Sequence, residues 1–306
     1  SSEKVRTASR RSCRSVNDMT ANEYKKYVDA KLSEYFKPSG LSYDGLLESM
    51  HYSLTAGGKR IRPMLVLEFC RISGGNIEKT LPVACAIEML HTYSLIHDDL
   101  PCMDNDALRR GKPTNHVVYG ECTATLAGDA LQAEAFGTIA RSQLPAEARV
   151  TCVEILADAV GSDGMCAGQY LDMVGEHKLL SEDELNDINS RKTGSLLTAA
   201  CRMGVAAAGG NKAMLDAAAQ YGACVGAAFQ IRDDILDVIS TSEELGKPVG
   251  SDAQEQKNTY MALLGEDKCM QMIEKLTDQA KNAIAGAFED TKFLCELADS
   301  MVTRKN

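Results

Sequence analysis

Two helical stretches of this 306-residue chain are apolar almost all the way round, and each runs straight into a cluster of aspartates. Leu81 to Ile96 leads into Asp98-Asp99-Leu-Pro-Cys-Met-Asp104, and Ala217 to Phe229 leads into Asp233-Asp234-Ile-Leu-Asp237. A helix with no polar face has no solvent side, so both belong in the middle of a large bundle, wrapped by other helices. The carboxylates then stand at the mouth of whatever the bundle encloses.

The rest of the chain supplies the wrapping. Apolar residues recur at three- and four-residue spacing over 20–36, 43–55, 62–73, 79–98, 120–141, 146–160, 182–209, 212–240 and 267–287, which predicts helices there. Gly and Pro mark breaks, among them Gly57-Gly58, Gly74-Gly75, Pro82, Gly111 to Pro113 and Gly161 to Gly164. Ser181 with Glu184 predicts a capping box at the start of one helix. No alternating β-branched run exceeds a few residues, and no linker or repeat of fixed period interrupts the pattern. The fold class expected is all-α, a large single-domain helical bundle covering residues 19–306. Residues 1–18 are rich in Ser and Arg and have no apolar core, so they are no secretory signal. They are expected to be a disordered or expression-derived tail.

Composition excludes several functions. A formal net charge of −10 argues against nucleic acid as the main partner. No apolar run reaches the roughly 18 residues that a membrane span needs. The 11 cysteines include no C-x-x-C pair, which argues against a zinc site and for reduced, mostly buried thiols in a cytoplasmic protein.

The aspartates carry the chemistry. Asp233 and Asp237, four apart, share a helix face and repel. Partly buried carboxylates without partners are costly, and a hard divalent cation such as Mg²⁺, completed by water and substrate phosphate, is the simplest remedy. In the first cluster Asp98 and Asp104 are six apart, on different faces of a regular helix, and Pro101 removes a backbone donor. A bulge near Pro101 is therefore expected to return Asp104 to Asp98. Basic groups answer the acids. Gly57-Gly58-Lys59-Arg60-Ile61-Arg62-Pro63 is a turn entering a helix, suited to a diphosphate. Arg109-Arg110-Gly111-Lys112 follows the first cluster, Arg191-Lys192-Thr193 opens an apolar stretch, and Lys247 and Lys257 lie near the C-terminal third's glycine-bounded loop. His91 lies two helical turns before Asp98 on nearly the same face, whereas His97 points elsewhere and is read as structural.

His91 through Thr114 resembles the first aspartate-rich motif of the trans-isoprenyl diphosphate synthases, and Phe229-Gln230-Ile-Arg-Asp-Asp-Ile-Leu-Asp237 resembles the second. Gly57 to Pro63, Gly168-Gln169-Tyr-Leu-Asp172, Lys192-Thr193 and Lys247-Pro-Val-Gly-Ser-Asp252 match in type and order, so the resemblance spans roughly residues 20–304. It implies a bundle around a deep apolar pocket, a homodimer, and head-to-tail condensation of isopentenyl diphosphate with an allylic diphosphate such as dimethylallyl or geranyl diphosphate. Mg²⁺, about three ions per site with substrate bound, would be held by Asp98, Asp104 and Asp233, with Asp99 and Asp237 nearby. Arg109, Lys192, Lys247 and Lys257 would share the allylic diphosphate. The carbonyl of Thr193 and the side chain of Gln230 would face the allylic cation, and Lys59, Arg62, His91 and Arg110 would hold isopentenyl diphosphate. The family often carries a further aspartate where this chain has Ala107, which puts a fine-tuning role of that carboxylate in doubt here.

Product length is set in this family by residues upstream of the first cluster. Here they are Tyr93 and Ser94, and the bulk of Tyr93 implies a fifteen-carbon farnesyl product over the twenty-carbon geranylgeranyl alternative. A terpene cyclase is disfavoured by the second intact cluster and by 5% aromatics with no Trp, and a non-catalytic synthase subunit by the integrity of both clusters.

Overall fold

Ile77–Asp98, the first of the two all-apolar stretches, forms the central helix that its sequence demands. The computed structural model describes residues 19–176, 178–239 and 258–303, and in it this helix, α4, is buried on every side, from Ile77 through Leu90 to Ile96. It starts from an Asn76 side chain that accepts a hydrogen bond from the Lys79 N–H at 2.9 Å. Pro82, read in the sequence as a break, lies inside it.

Three helices precede it: α1 (Ala21–Leu32), α2 (Asp44–Leu54) and α3 (Ile61–Ile72). After it, strands β1 (Leu108–Arg109) and β2 (Lys112–Pro113) pair antiparallel in a small hairpin. Then come α5 (Asn115–Tyr119), α6 (Glu121–Ala140), α7 (Ala146–Val160), α8 (Met165–Gly175) and α9 (Glu182–Asn189). A π-helical turn, Ser190–Gly194, joins α9 to α10 (Ser195–Ala207), and α11 (Lys212–Ile239) is the second all-apolar stretch. The described chain ends with α12 (Tyr260–Leu264), α13 (Glu266–Ala285) and α14 (Lys292–Thr303). The all-α class holds. The single helix expected over 182–209 is broken by the π turn, and α5, α8, α12 and α14 were not expected. α5 and α12 are single five-residue turns and α8 is diluted by two glycines, so their periodicity is weak, whereas α14 is amphipathic and was missed. The capping box stands: Ser181 Oγ accepts from the Glu184 N–H at 3.2 Å, and the Ser181 N–H donates to Glu184 Oε2 at 2.9 Å.

The main apolar core is centred on α3, α4 and α10, and a smaller one, with Ile231, Ile235, Tyr260 and Ile273, lies beneath the second aspartate cluster. α10 crosses α3 so closely that a side chain at Gly204 would strike the Val66 carbonyl. The first core also contains charge. Arg60, in a left-handed conformation at φ 55° just before α3, is 3% exposed. Its guanidinium donates to Glu88 Oε1 at 2.5 Å, to Asp29 Oδ1 at 2.8 Å and to the Leu54 carbonyl at 2.9 Å. This ties α1, α2, the basic turn and α4 together. Glu88→Ala leaves a buried guanidinium half-answered, so it should destabilise the fold by about 3–5 kcal/mol, read from the urea midpoint at unchanged slope.

Candidate active site

The first aspartate cluster is a closed loop. α4 ends at Asp98, and the chain turns back so that the Asp104 N–H donates to the Asp98 carbonyl at 2.9 Å. The Met103 and Asn105 N–H groups both donate to the Leu100 carbonyl, and Asn105 takes φ 52°, a conformation asparagine tolerates. The expected bulge around Pro101 therefore exists and sets the two carboxylates side by side. Burial first, then Asp104 and Asp99, push the Asp98 carboxyl up to about 6, against the pull of Lys192 and Arg109.

Asp99 differs from the sequence reading. It is 3% exposed and turned away from the cavity, and Arg109 grips it with Nε at 2.8 and 3.0 Å and Nη2 at 2.6 Å. Asp106 is a further neighbour of the same guanidinium at 3.8 Å. Arg109 is thus oriented by acid, and Asp99 is its anchor.

Lys192 answers Asp98 from across the cavity. It sits in the π turn, and its Nζ donates to Asp172 Oδ2 at 2.6 Å. Burial alone would lower its pKa, but Asp172, Asp98 and Asp104 outweigh that and raise it, so the ammonium is fixed. Gly168 of α8 is pressed against this turn, and a Cβ there would run into the Lys192 backbone nitrogen. Asp172 had been seen only as part of a motif; its partnership with Lys192 was not legible, because the two are twenty residues apart.

The second cluster is wired to the same turn. Thr193 Oγ1 donates to Gln230 Oε1 at 3.3 Å, and Gln230 Nε2 donates to Asp234 Oδ1 at 3.1 Å. Asp234 Oδ2 accepts from the Tyr260 N–H at 2.9 Å, at the start of α12. Burial, with Asp233 and Asp237 adding to it, pushes Asp234 up to about 6, although the Tyr260 and Gln230 hydrogen bonds pull the other way. Asp234 thus carries hydrogen bonds within α11 and to α12, and on the same helix Asp233 is half-buried and Asp237 exposed. Lys247 and Lys257 lie outside the described residues.

The basic turn supplies the third component. Arg110, at φ 54°, donates to the Gly57 carbonyl and lies against Gly58, where any Cβ would strike its guanidinium. Lys59 is exposed beside it. Burial pulls the Arg62 pKa down and Arg110 adds to this, while Glu88 and Asp233 oppose. Burial, then Arg62, Arg110, Arg109 and Arg60, hold the His91 imidazole well below its ordinary value, so it is neutral. Of these guanidiniums Arg60 and Arg109 are answered by Glu88 and Asp99, so the positive charge left beside the neutral imidazole is that of Arg62 and Arg110.

Between these groups lies a cavity of about 550 Å³. Asp98, Lys192, Thr193, Arg62 and His91 line its polar end, and Tyr93, Ser94, Met165, Cys166 and Met173 its apolar part. Arg62 Nε and Gln169 Nε2 are buried on its wall without a hydrogen-bond partner among the described residues, as expected of groups that await a polar ligand. Tyr93 is 6% exposed and Ser94 donates to the His91 carbonyl at 2.9 Å. His97 is structural, its Nε2 3.0 Å from the Thr125 carbonyl and its ring packed where Gly128 has no side chain.

The polyprenyl synthetase family model matches residues 44–294. A farnesyl diphosphate synthase of Geobacillus stearothermophilus is 46% identical over 288 residues, covering 90% of this chain and 95% of that one. A geranylgeranyl diphosphate synthase of Cyanophora paradoxa is also 46% identical, over 287 residues, covering 93% and 95%. Among solved structures, a geranyltransferase of Legionella pneumophila superposes with a TM-score of 0.83 at 32% identity, covering 94% of this chain and 96% of that one.

The Lys192–Asp172 pair aligns the ammonium and adds little to stability, since its partners are 29% and 43% exposed. A double-mutant cycle on Lys192→Ala and Asp172→Ala should return a coupling below about 1 kcal/mol in chemical denaturation.

Proposed function

The chain belongs to the polyprenyl synthetase family, and from that premise we propose that it condenses isopentenyl diphosphate head to tail with dimethylallyl and then geranyl diphosphate, releasing farnesyl diphosphate. It is a trans-prenyltransferase. The observation that carries the reading is one cavity whose polar end sets Asp98 against Lys192 and adjoins the Arg62–His91 anion site.

The donor set fits Mg²⁺. The hard carboxylate of Asp98 lines the cavity with Asp104 drawn back beside it, and burial disfavours the Asp98 anion unless a cation joins it. Asp98, Asp104, Asp233 and Asp237 would hold about three such ions, and when bound they would neutralise charge developing on the departing diphosphate.

Lys192, with Arg109, Lys247 and Lys257, holds the allylic diphosphate in this reading, so negative charge is met as it forms. The C1–O bond breaks and leaves an allylic cation, which the Thr193 carbonyl and the Gln230 side-chain oxygen face. Asp234 supports this by holding Gln230 in place. Lys59, Arg62, His91 and Arg110 hold isopentenyl diphosphate so that its double bond attacks C1. A proton from C2 of the adduct passes to the released diphosphate and the new double bond forms. No protein base is needed, and His91, held neutral among arginines, serves as a hydrogen-bonding group.

Tyr93 is the floor on which the tail stops. Relatives at equal identity bear farnesyl and geranylgeranyl names, so the support for fifteen carbons is this residue's bulk and burial in the cavity wall. The polyprenyl synthase domain is taken as residues 19–306, and the active form as a homodimer. Val117 and Val118 of α5 and Leu126 of α6, about half exposed, form the apolar face proposed to meet a second copy. No helix of the described residues is long and apolar enough to cross a membrane, and the ten described cysteines are free thiols, six of them buried, which supports a cytoplasmic location.

With Mg²⁺, isopentenyl and dimethylallyl diphosphates, the dephosphorylated product should be mainly farnesol by chromatography. Tyr93→Ala should lengthen it, and geranylgeraniol from the unaltered enzyme would sink the floor. Asp98→Ala should cut turnover about 10²- to 10³-fold with the circular dichroism melt intact. Leu126→Arg should move the sedimentation coefficient from dimer towards monomer.

A further inference from the structure

The tyrosine at the floor does not stand alone. Its ring meets the His97 ring edge-on, centroids 5.5 Å apart and planes at 84°. His97 is itself fixed against α6 through the Thr125 carbonyl. On the opposite side the Tyr93 hydroxyl lies 3.7 Å from Cys166 Sγ, in the first turn of α8. The phenol therefore spans the cavity from α4 to α8, clamped by an imidazole on one flank and a thiol on the other.

The thiol is placed to touch a ligand. α8 turns one stripe, Cys166, Gln169, Tyr170 and Met173, to the cavity, at the spacing of a single helix face. Six other cysteines are buried in the packed core, whereas Cys166 is exposed. It is thus a wall residue at the depth of Tyr93, and a side chain there fills space the end of a growing chain would otherwise take.

We propose that Cys166 is a second chain-length determinant, which with Tyr93 closes the cavity beyond the last isoprene unit of a fifteen-carbon tail. The proposal rests on the reading of Tyr93 as the floor and assigns half of that floor to α8. Cys166 acts in two ways. Its bulk occupies the α8 side, and its weak hydrogen bond keeps the phenol from rotating towards α8 and opening a deeper channel. The group it meets is the apolar distal end of an allylic prenyl chain, so its effect falls on where elongation stops and leaves the charged end of the site untouched.

The test is the product distribution of the full chain with Mg²⁺, isopentenyl diphosphate and dimethylallyl diphosphate, read as the ratio of twenty- to fifteen-carbon alcohols and, for stalled growth, as the share of ten-carbon alcohol. Cys166→Ala, with Tyr93 in place, should raise that ratio about tenfold, the discrimination typical of a small change in an apolar pocket. Cys166→Ser keeps size and a hydrogen-bonding partner and should stay within about twofold of the unaltered enzyme. Cys166→Phe should shift products the other way and stall growth at ten carbons. If Cys166→Ala matches the unaltered ratio while Tyr93→Ala lengthens the product, the assignment of Cys166 falls and the tyrosine floor stands. If neither change moves the ratio, the floor reading and the proposal fall together. Should Cys166→Ala fail to fold, the opposite shift in the Phe variant decides independently.

Discussion

Like charges held together in a poorly solvated place organise this molecule. Two unit charges about 4 Å apart interact by roughly 4 kcal/mol at an effective dielectric near 20, against a whole-fold stability of about 5–15 kcal/mol. The chain does not avoid that repulsion. A backbone hydrogen bond draws Asp104 back to Asp98, and Asp233, Asp234 and Asp237 share one helix end. Burial then pushes both Asp98 and Asp234 up to about 6. The unusually apolar helices behind them make this tolerable, because α4 and the core packed on it supply stabilisation far from the charged end. Several acids are answered inside the fold: Asp99 has Arg109, Asp172 has Lys192, and Asp234 has the Tyr260 N–H.

That division explains what could be read from the chain and what could not. The helical class, the central position of α4, the Ser181 cap and the return of Asp104 follow from local rules of periodicity, capping and proline sterics. The roles within each aspartate cluster do not. Asp98 and Asp99 are neighbours in sequence, yet one faces the cavity and the other is gripped by Arg109. Asp234 carries structural hydrogen bonds between two aspartates that do not share them. A run of like residues reveals charge; which member finds a partner depends on residues that only folding brings near. For the same reason Gln169 and Asp172 stand in the sequence as members of a motif and take their roles only in the fold, while Lys59, Arg62, His91 and Arg110 are legible as a set from the chain alone.

The π turn at Ser190–Gly194 is the clearest departure from local rules. Periodicity alone runs one helix through 182–209, and an extra residue is accommodated where Lys192 and Thr193 must both face the cavity. Such bulges weaken a helix and persist where neighbours over-determine them. Here α8 supplies that pressure at Gly168, and α11 does so at Gly226, whose missing side chain leaves it in contact with Gly194. Two glycines on two helices thus hold a turn open that neither helix would hold alone. The ammonium and the carbonyl on that turn owe their positions to packing and not to the turn's own sequence.

The same packing separates two properties of the cavity. The first aspartates gather at the C-terminal end of α4, whereas Tyr93 lies five residues before Asp98, about 7.5 Å along the helix axis. Side chains at that depth contact α6 through His97 and α8 through Cys166, and none of the ion pairs around Asp98, Arg109 or Lys192 passes through them. On the proposed function, chemistry at the mouth and extent of growth at the floor answer to different residues. The floor can therefore vary in shape without breaking those ion pairs. A wall built from two helices also gives finer control than one residue does, since the phenol's position depends on what stands opposite it.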